Sequence, residues 1–449
     1  MASVTDESLS LKQILKTWWP LAASWLLMGI EGPALSAVMA RLAEPEINLA
    51  AYGGVVFPLC LIIEAPIIML LAASTALSKN CDSYRWLHRF MMISGAILTA
   101  IHVFVAFTPI YYLVVRNWLA VPEEIVQPAR IGLMIMTPWT WSIAYRRFQQ
   151  GVMIRFGHSR AVGIGTMVRL LSGGTVLLVG YWLNAVAGIV VACTAQALGV
   201  VSEAIYAGFR VRPILKYQVR YLTSADPITW RLFTGFYLPL AMTSVLSLVW
   251  QPIGSAALSR MDKPLESLAV WPVLSGLVFM LRTFGMAYNE VVVALLERAG
   301  AYWKLRQFSM LLLLGSTLLH LCIAATPLST LWFASVSALP PSLVEIARTG
   351  FWTALPIAPL TVLQSWYQGA IVAGKKTRGI SEAMAIFLMV VLSVMIAGVM
   401  WFDIIGLYVG MTAFSIANLA QTLWLWFRSR PVLQEMKVRD RSFLALSID

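Results

Sequence analysis

Apolar runs of about twenty residues or more recur from one end of this chain to the other, with only short polar segments between them. A helical run of that length spans the hydrocarbon of a bilayer, at about 1.5 Å per residue. The composition points the same way: of 449 residues, 59% are hydrophobic and 12% charged, against about 25% charged in ordinary globular proteins. Such a chain cannot cover itself with polar groups in water. In hydrocarbon every backbone N–H and C=O needs an internal partner, which leaves helices or closed barrels, and the ten-residue alternation of a barrel strand is missing. The runs predict an all-α integral membrane protein with about twelve transmembrane helices, over 13–40, 49–76, 88–115, 125–149, 161–180, 187–209, 232–258, 267–293, 307–334, 343–371, 380–401 and 404–427.

The net charge of +12 suggests nucleic acid or acidic partners until its placement is considered. With an even number of spans, the Lys and Arg residues gather on the segments that fall to one side. The other side's loops and helix ends hold only Arg41, Arg116, Arg130, Arg260, Lys263 and Arg348. That bias predicts both termini in the cytoplasm and no nucleic-acid partner. Four scattered cysteines, Cys60, Cys81, Cys193 and Cys322, show neither a disulfide framework nor a metal-ligand spacing. The polar first sixteen residues lead into a full-length span, so no signal peptide is expected.

The sequence also repeats itself. Pro20-Leu21-Ala22, Pro33 and Arg41 recur as Pro239-Leu240-Ala241, Pro252 and Arg260, an offset of 219 that still holds from Leu49-Ala50 to Leu268-Ala269. After one slip the offset is 218, pairing Tyr84 with Tyr302, His102 with His320, Thr108-Pro109 with Thr326-Pro327, Pro138 with Pro356, Gln150-Gly151 with Gln368-Gly369 and Arg160 with Arg378. Recurrence of Pro, His, Arg and Gln at one interval marks a duplication. Each half has six spans and so enters the membrane in the same direction, which predicts two parallel repeats. The expected organisation is a cytoplasmic N-terminus (1–12), an N-terminal six-helix bundle (13–209), a basic linker (210–231), a C-terminal bundle (232–427) and a cytoplasmic tail (428–449).

The proline-led first helix, its arginine and Leu49-Ala50-Ala51-Tyr52-Gly53 resemble the multidrug/oligosaccharide-lipid/polysaccharide exporter superfamily. In plan the chain resembles its multidrug and toxic compound extrusion (MATE) family. Local motifs are similar to the progressive ankylosis protein family: Trp18-Trp19-Pro20-Leu21, Glu31 followed by Ala34-Leu35, and Pro252-Ile253 followed by Ser259-Arg260. The resemblance implies a V-shaped pair of bundles around a central cavity, working by alternating access with proton or Na+ coupling. Drug exporters of this kind carry an acidic residue in the first helix where this chain has Leu35; Glu31 lies one turn earlier.

Ionisable residues at membrane depth are costly and mark partners or pathways. Glu31 stands two residues before Pro33, and Glu64 two before Pro66, prolines that free a carbonyl and bend a helix. Each carboxylate is either a proton or cation site or a hydrogen-bonded packing group. The repeat offset places Glu64 against Arg282 or Thr283, which suggests an acid and a base at matching depths, bridged by substrate or locked as a structural ion pair. Secondary cavity candidates are Gln251 beside the kink residue Pro252, Arg169, the paired His102 and His320, and Trp250 and Trp271. For Arg169, snorkelling to the interface is the favoured reading. Glu203, Glu290 and Glu382 read as interfacial. Gly369, Gly374 and Lys375 have the spacing of a phosphate loop, but Lys376 follows and no strand precedes, so no ATPase is expected.

The expected function is therefore a MATE-like secondary exporter of small organic solutes in a bacterial cytoplasmic membrane. It would work among lipids without a catalytic residue, metal or cofactor, and the sequence leaves its oligomeric state open, a monomer included. Efflux of a small anion such as pyrophosphate or citrate, and flipping of a lipid-linked saccharide, are the alternatives that the resemblance implies. Flippases bring more basic charge into the cavity than Arg169 and Arg282. A membrane-embedded transferase would need paired carboxylates or a His/Asp cluster in an interfacial loop, and the short loops show none.

Overall fold

The computed structural model describes residues 9–222, 228–298, 300–374, 378–401 and 403–446. Among them the chain is helical, without a strand. We number the long helical segments α1 (Leu11–Met39), α2 (Pro45–Leu77), α3 (Cys81–Phe107), α4 (Glu123–Ile135 then Thr137–Arg155), α5 (Ser159–Leu183) and α6 (Gly188–Tyr217) in the first half. The second half holds α7 (Trp230–Leu258), α8 (Pro264–Leu295), α9 (Ala301–Ala325), α10 (Pro341–Ala373), α11 (Arg378–Trp401) and α12 (Gly406–Leu446). Ten of them, all but α4 and α12, are long and apolar enough to cross a membrane. The chain is a multi-pass membrane protein.

The duplication extends to single hydrogen bonds. Arg41 Nη1 donates to the Ala37 carbonyl at 2.7 Å, and Arg260 Nη1 to Ala256 at 2.7 Å. Glu44 and Lys263, both at φ 49°, turn α1 into α2 and α7 into α8. His102 bonds the Leu133 carbonyl and His320 the Phe351 carbonyl, 31 residues on in each case.

The expected third and ninth spans, 88–115 and 307–334, are shorter at their ends than the apolar runs suggest. α3 stops at Phe107 and α9 at Ala325, and a short helix follows each, 110–118 and 328–336. The cause is the repeated Thr-Pro pair. Pro109 and Pro327 lack the N–H that would continue the ladder. The hydroxyls of Thr108 and Thr326 instead accept from the amides of Ile110 and Leu328, each at 3.3 Å.

Two compact units emerge, and they do not follow the two halves of the sequence. One comprises Leu35–Trp271 with Ala338–Pro340; the other comprises Met1–Ala34, Pro272–Ser337 and Pro341–Asp449. Each unit takes most of one half together with helix from the other. In the second unit, Trp18 of α1 packs at 6.1 Å from Phe284 and 5.8 Å from Phe308, and its indole donates to the Phe284 carbonyl at 2.9 Å. In the first unit, Tyr237 of α7 packs 5.3 Å from Phe90 and donates to the Pro66 carbonyl at 2.6 Å. Trp18 and Tyr237 are 219 apart and their acceptors 218 apart, so this exchange is itself part of the repeat. The expected boundary at 210–231 thus divides the repeat rather than the packing. Within that stretch α6 continues to Tyr217, and 223–227 lie outside the described residues.

Candidate functional site

The first unit holds a cluster of ionic side chains within its helices. On α4, Trp139, Arg146 and Gln150 fall at helical spacing along one stripe, and all three are buried. Glu203 of α6 is fully buried. Its Oε2 accepts from Arg146 Nη1 at 2.8 Å and its Oε1 from Gln150 Nε2 at 2.8 Å. Arg169 of α5 brings its Nε within 3.8 Å of the same carboxylate. Two guanidinium groups and an amide therefore surround this one buried carboxylate, and removing it would leave both cations without their partner.

Glu64 is held differently. It ends a helical piece of α2, and a three-residue 3-10 turn, Ala65–Ile67, carries Pro66 immediately after it. Proline cannot supply the next ladder N–H, so the helix breaks beside the carboxylate. The side chain is 4% exposed and accepts a hydrogen bond from the Trp139 indole N–H. The indole is a neutral donor, so Glu64 has no direct guanidinium partner of the kind that Glu203 has. Arg147 is near enough to interact electrostatically, and its Nε is buried without a hydrogen-bond partner.

In the second unit Arg282 of α8 donates from Nε to Thr361 Oγ1 at 3.0 Å, with its guanidinium 5.4 Å from the Phe414 ring centre. The matched pair of Trp18 and Tyr237 bonds fixes the local offset at 218, so Glu64 and Arg282 are repeat equivalents. They fall in different units, and each has a partner within its own. Glu31 is half-buried at the start of the second piece of α1, and its repeat equivalent is Trp250. Pro33 lies against Gly276 of α8, where an added Cβ would come within 3.1 Å of Pro33 Cγ.

Most secondary candidates are packing groups. His102 spans Thr140 Oγ1 at 3.0 Å and the Leu133 carbonyl at 2.9 Å. His320 bonds Phe351 at 3.1 Å and stacks on its ring at 4.1 Å. Trp250 and Trp271 meet edge-on at 6.1 Å, and Gln251 and Pro252 are half-buried beside them in sequence. Gly369 and Gly374 make room for Val292 and Val432 rather than for phosphate, and Lys375 and Lys376 lie outside the described residues.

Two expectations fail. Glu203 is central to an ion cluster, not interfacial. Arg169 turns inward, its side chain 12% exposed, instead of snorkelling: a fully buried carboxylate attracts it more strongly than the interface does. Arg146 and Arg147 were absent from the sequence candidates because α4 reads as ending at 149. It continues to Arg155, which places both more than two turns inside the helix. The repeat held a signal for them. The equivalents of Arg146 and Glu203 are Gln364 and Gln421, joined by an amide hydrogen bond of 3.3 Å. Both members of the pair are charged in the first half and neutral in the second.

Solved structures share this fold over nearly their whole length. The lipid II flippase MurJ in an inward closed conformation superposes with a TM-score of 0.72 at 17% identity, over 95% of this chain and 92% of that one. An inward-facing multidrug resistance MATE family transporter of the MOP superfamily gives 0.63 at 14%, over 97% of each chain. A MOP superfamily transporter from Pyrococcus furiosus, described as having a binding pocket of reverse polarity, gives 0.62 at 15%, over 96% and 99%. No family model matches the sequence, and no curated protein matches it. The chain has the fold of the MATE-like transporters of the MOP superfamily.

Proposed function

We propose that this protein is a secondary transporter that moves small organic solutes across a membrane by ion-coupled alternating access, with Glu64 as the coupling carboxylate. The observation that carries this reading is the contrast between two buried acids in one unit. Glu203 is fixed by Arg146, Arg169 and Gln150, whereas Glu64 sits at a proline break with an indole donor. A buried carboxylate at membrane depth is a common coupling device, and of this pair Glu64 is met by a neutral indole where Glu203 is met by guanidinium groups. The fold supports the transporter class, and the one-sided basic residues support cytoplasmic termini.

An anionic solute or lipid-linked headgroup is the second reading, favoured by a specific observation. Arg146, Arg147 and Arg169 exceed Glu64 and Glu203 in the first unit, and the buried Nε of Arg147 has no hydrogen-bond partner. Four inward or half-buried arginines, counting Arg282, remove the sequence argument that basic charge is too sparse for such substrates. Proteoliposomes given a cationic dye, labelled citrate or labelled pyrophosphate, under imposed proton or sodium gradients, separate the readings. Under the proposal, Glu64→Gln abolishes gradient-driven uphill movement, by about tenfold or more, while downhill exchange persists. Uphill movement by Glu64→Gln equal to that of the unsubstituted protein would sink the coupling role. Movement of the anions alone would select the second reading.

A further inference from the structure

The last helix is longer than a membrane requires. α12 runs 41 residues, about 60 Å at 1.5 Å per residue, roughly twice the hydrocarbon thickness. Its final turns lie against the junction between α8 and α9, within the second unit. Val432 is buried, and Leu433 and Met436 pack on a cluster that includes Tyr288, Val292 and Tyr302. Beyond them, two adjacent charged residues meet two helix ends. Arg439 donates to the carbonyls of Leu296 and Glu297 at 3.0 Å each and of Arg298 at 2.8 Å, where α8 has just ended. Asp440 is fully buried, and its Oδ2 accepts from the Tyr302 amide at 2.8 Å, at the second residue of α9. Arg439 Nε also donates to Asp440 Oδ1 at 2.8 Å, which holds the two side chains in register.

A helix end leaves about four backbone groups unsatisfied, and the residues flanking the helix usually supply the missing partners. At α9 the Arg298 carbonyl accepts from the Ala301 amide at 3.3 Å, but no flanking side chain caps the helix. Its N-cap is Gly300, at φ 74°, without a side chain to accept a hydrogen bond. The equivalent helix of the first half supplies its own: Asn80 caps α3, accepting from Ser83, whose side chain returns the bond. The duplicated junction thus lacks a local side-chain cap, and a carboxylate from 138 positions away stands in its place.

We propose that the end of α12 is a strap that supplies, from a distance, both the C-terminal cap of α8 and the N-terminal cap of α9, and whose release lets this junction fray while the rest of the unit stays folded. The signs agree with the helix dipoles: a guanidinium lies at a C-terminus and a carboxylate at an N-terminus.

Amide hydrogen exchange on the full-length protein in detergent or nanodiscs tests this without a substrate, and so stands or falls separately from the transport reading. Asp440→Ala should speed exchange at 296–304 by about tenfold, the scale of a lost N-cap, and leave 78–86 unchanged. Arg439→Gln should act mainly on the end of α8. Lys437→Ala, one turn away beside Trp303, should change neither. Unchanged exchange at 296–304 in Asp440→Ala would overturn the strap, as would equal acceleration at 78–86, which signals general unfolding. Should Asp440→Ala not accumulate, Asp440→Asn keeps an acceptor but loses the ion pair with Arg439. It should then give a smaller acceleration confined to the same residues, and the same two results would overturn the proposal.

Discussion

Glu203 and Glu64 show how neighbouring charges decide what a buried acid can do. Removing one member of a buried ion pair leaves the other uncompensated, at a cost of about 3–5 kcal/mol. Glu203→Gln strands both Arg146 and Arg169 and should fall in that range. Arg146→Gln should cost less, because Arg169 is already 3.8 Å from the carboxylate and can close on it. The double substitution reproduces the Gln364–Gln421 pair of the second half and should recover part of the loss from Glu203→Gln, since Arg169 still lacks its carboxylate. Thermal unfolding of the three variants in one detergent checks the order, and a double variant no better than Glu203→Gln would refute the amide pair as a working substitute. Buried charge at these positions was readable in the sequence only as isolated Glu and Arg residues. Which acid is ion-paired depended on Arg146, more than two turns inside a helix whose end the hydropathy pattern misplaced.

Helix approach is set by small residues at the crossings. Gly151 of α4 sits so close to α2 that an added Cβ would overlap Ser74 Oγ and the Leu71 carbonyl, and Thr75 donates to the Gly151 carbonyl at 3.2 Å. Gly151→Ala should destabilise by about 1–3 kcal/mol through overpacking, and Ser74→Ala should not rescue it, since a backbone carbonyl remains in the way. Gly163, open on the side of α5, is the control. Gly163→Ala should be neutral or improve stability by up to about 1 kcal/mol. Unfolding midpoints of the two variants that move together would refute the argument. The Gln-Gly repeats at 150–151 and 368–369 marked these crossings in the sequence without saying what they touched. The absent local cap at α9 was less legible still, because a missing partner has no residue to notice.

The duplicated chain does not fold as two independent halves. Trp18 and Tyr237 anchor α1 and α7 among helices of the opposite half, so neither half contains a complete compact unit. Fragments 1–222 and 228–449 made separately should be unstable and should form a monodisperse complex only when made together. Size-exclusion chromatography of the separate and joint products checks this. Two well-behaved separate halves would mean that the exchange is dispensable. Single hydrogen-bond deletions at the anchors, Trp18→Phe and Tyr237→Phe, should each cost about 1 kcal/mol, with equal values expected from their equivalence in the repeat.

The sequence by itself determined the medium, the secondary structure and the symmetry. Runs of apolar residues longer than any soluble helix needs admit only membrane-spanning helices, and prolines, arginines and histidines at a constant interval admit only a duplication. Both are local or periodic properties, written in residue order. Tertiary contacts set which helices share a unit, which acid is ion-paired and what caps α9. Those outcomes arise between residues such as Trp18 and Phe284, Arg146 and Glu203, or Asp440 and Tyr302, far apart in the chain. Their pairing depends on which apolar faces bury one another, and a hydropathy pattern that is apolar on every face of a membrane helix does not record it.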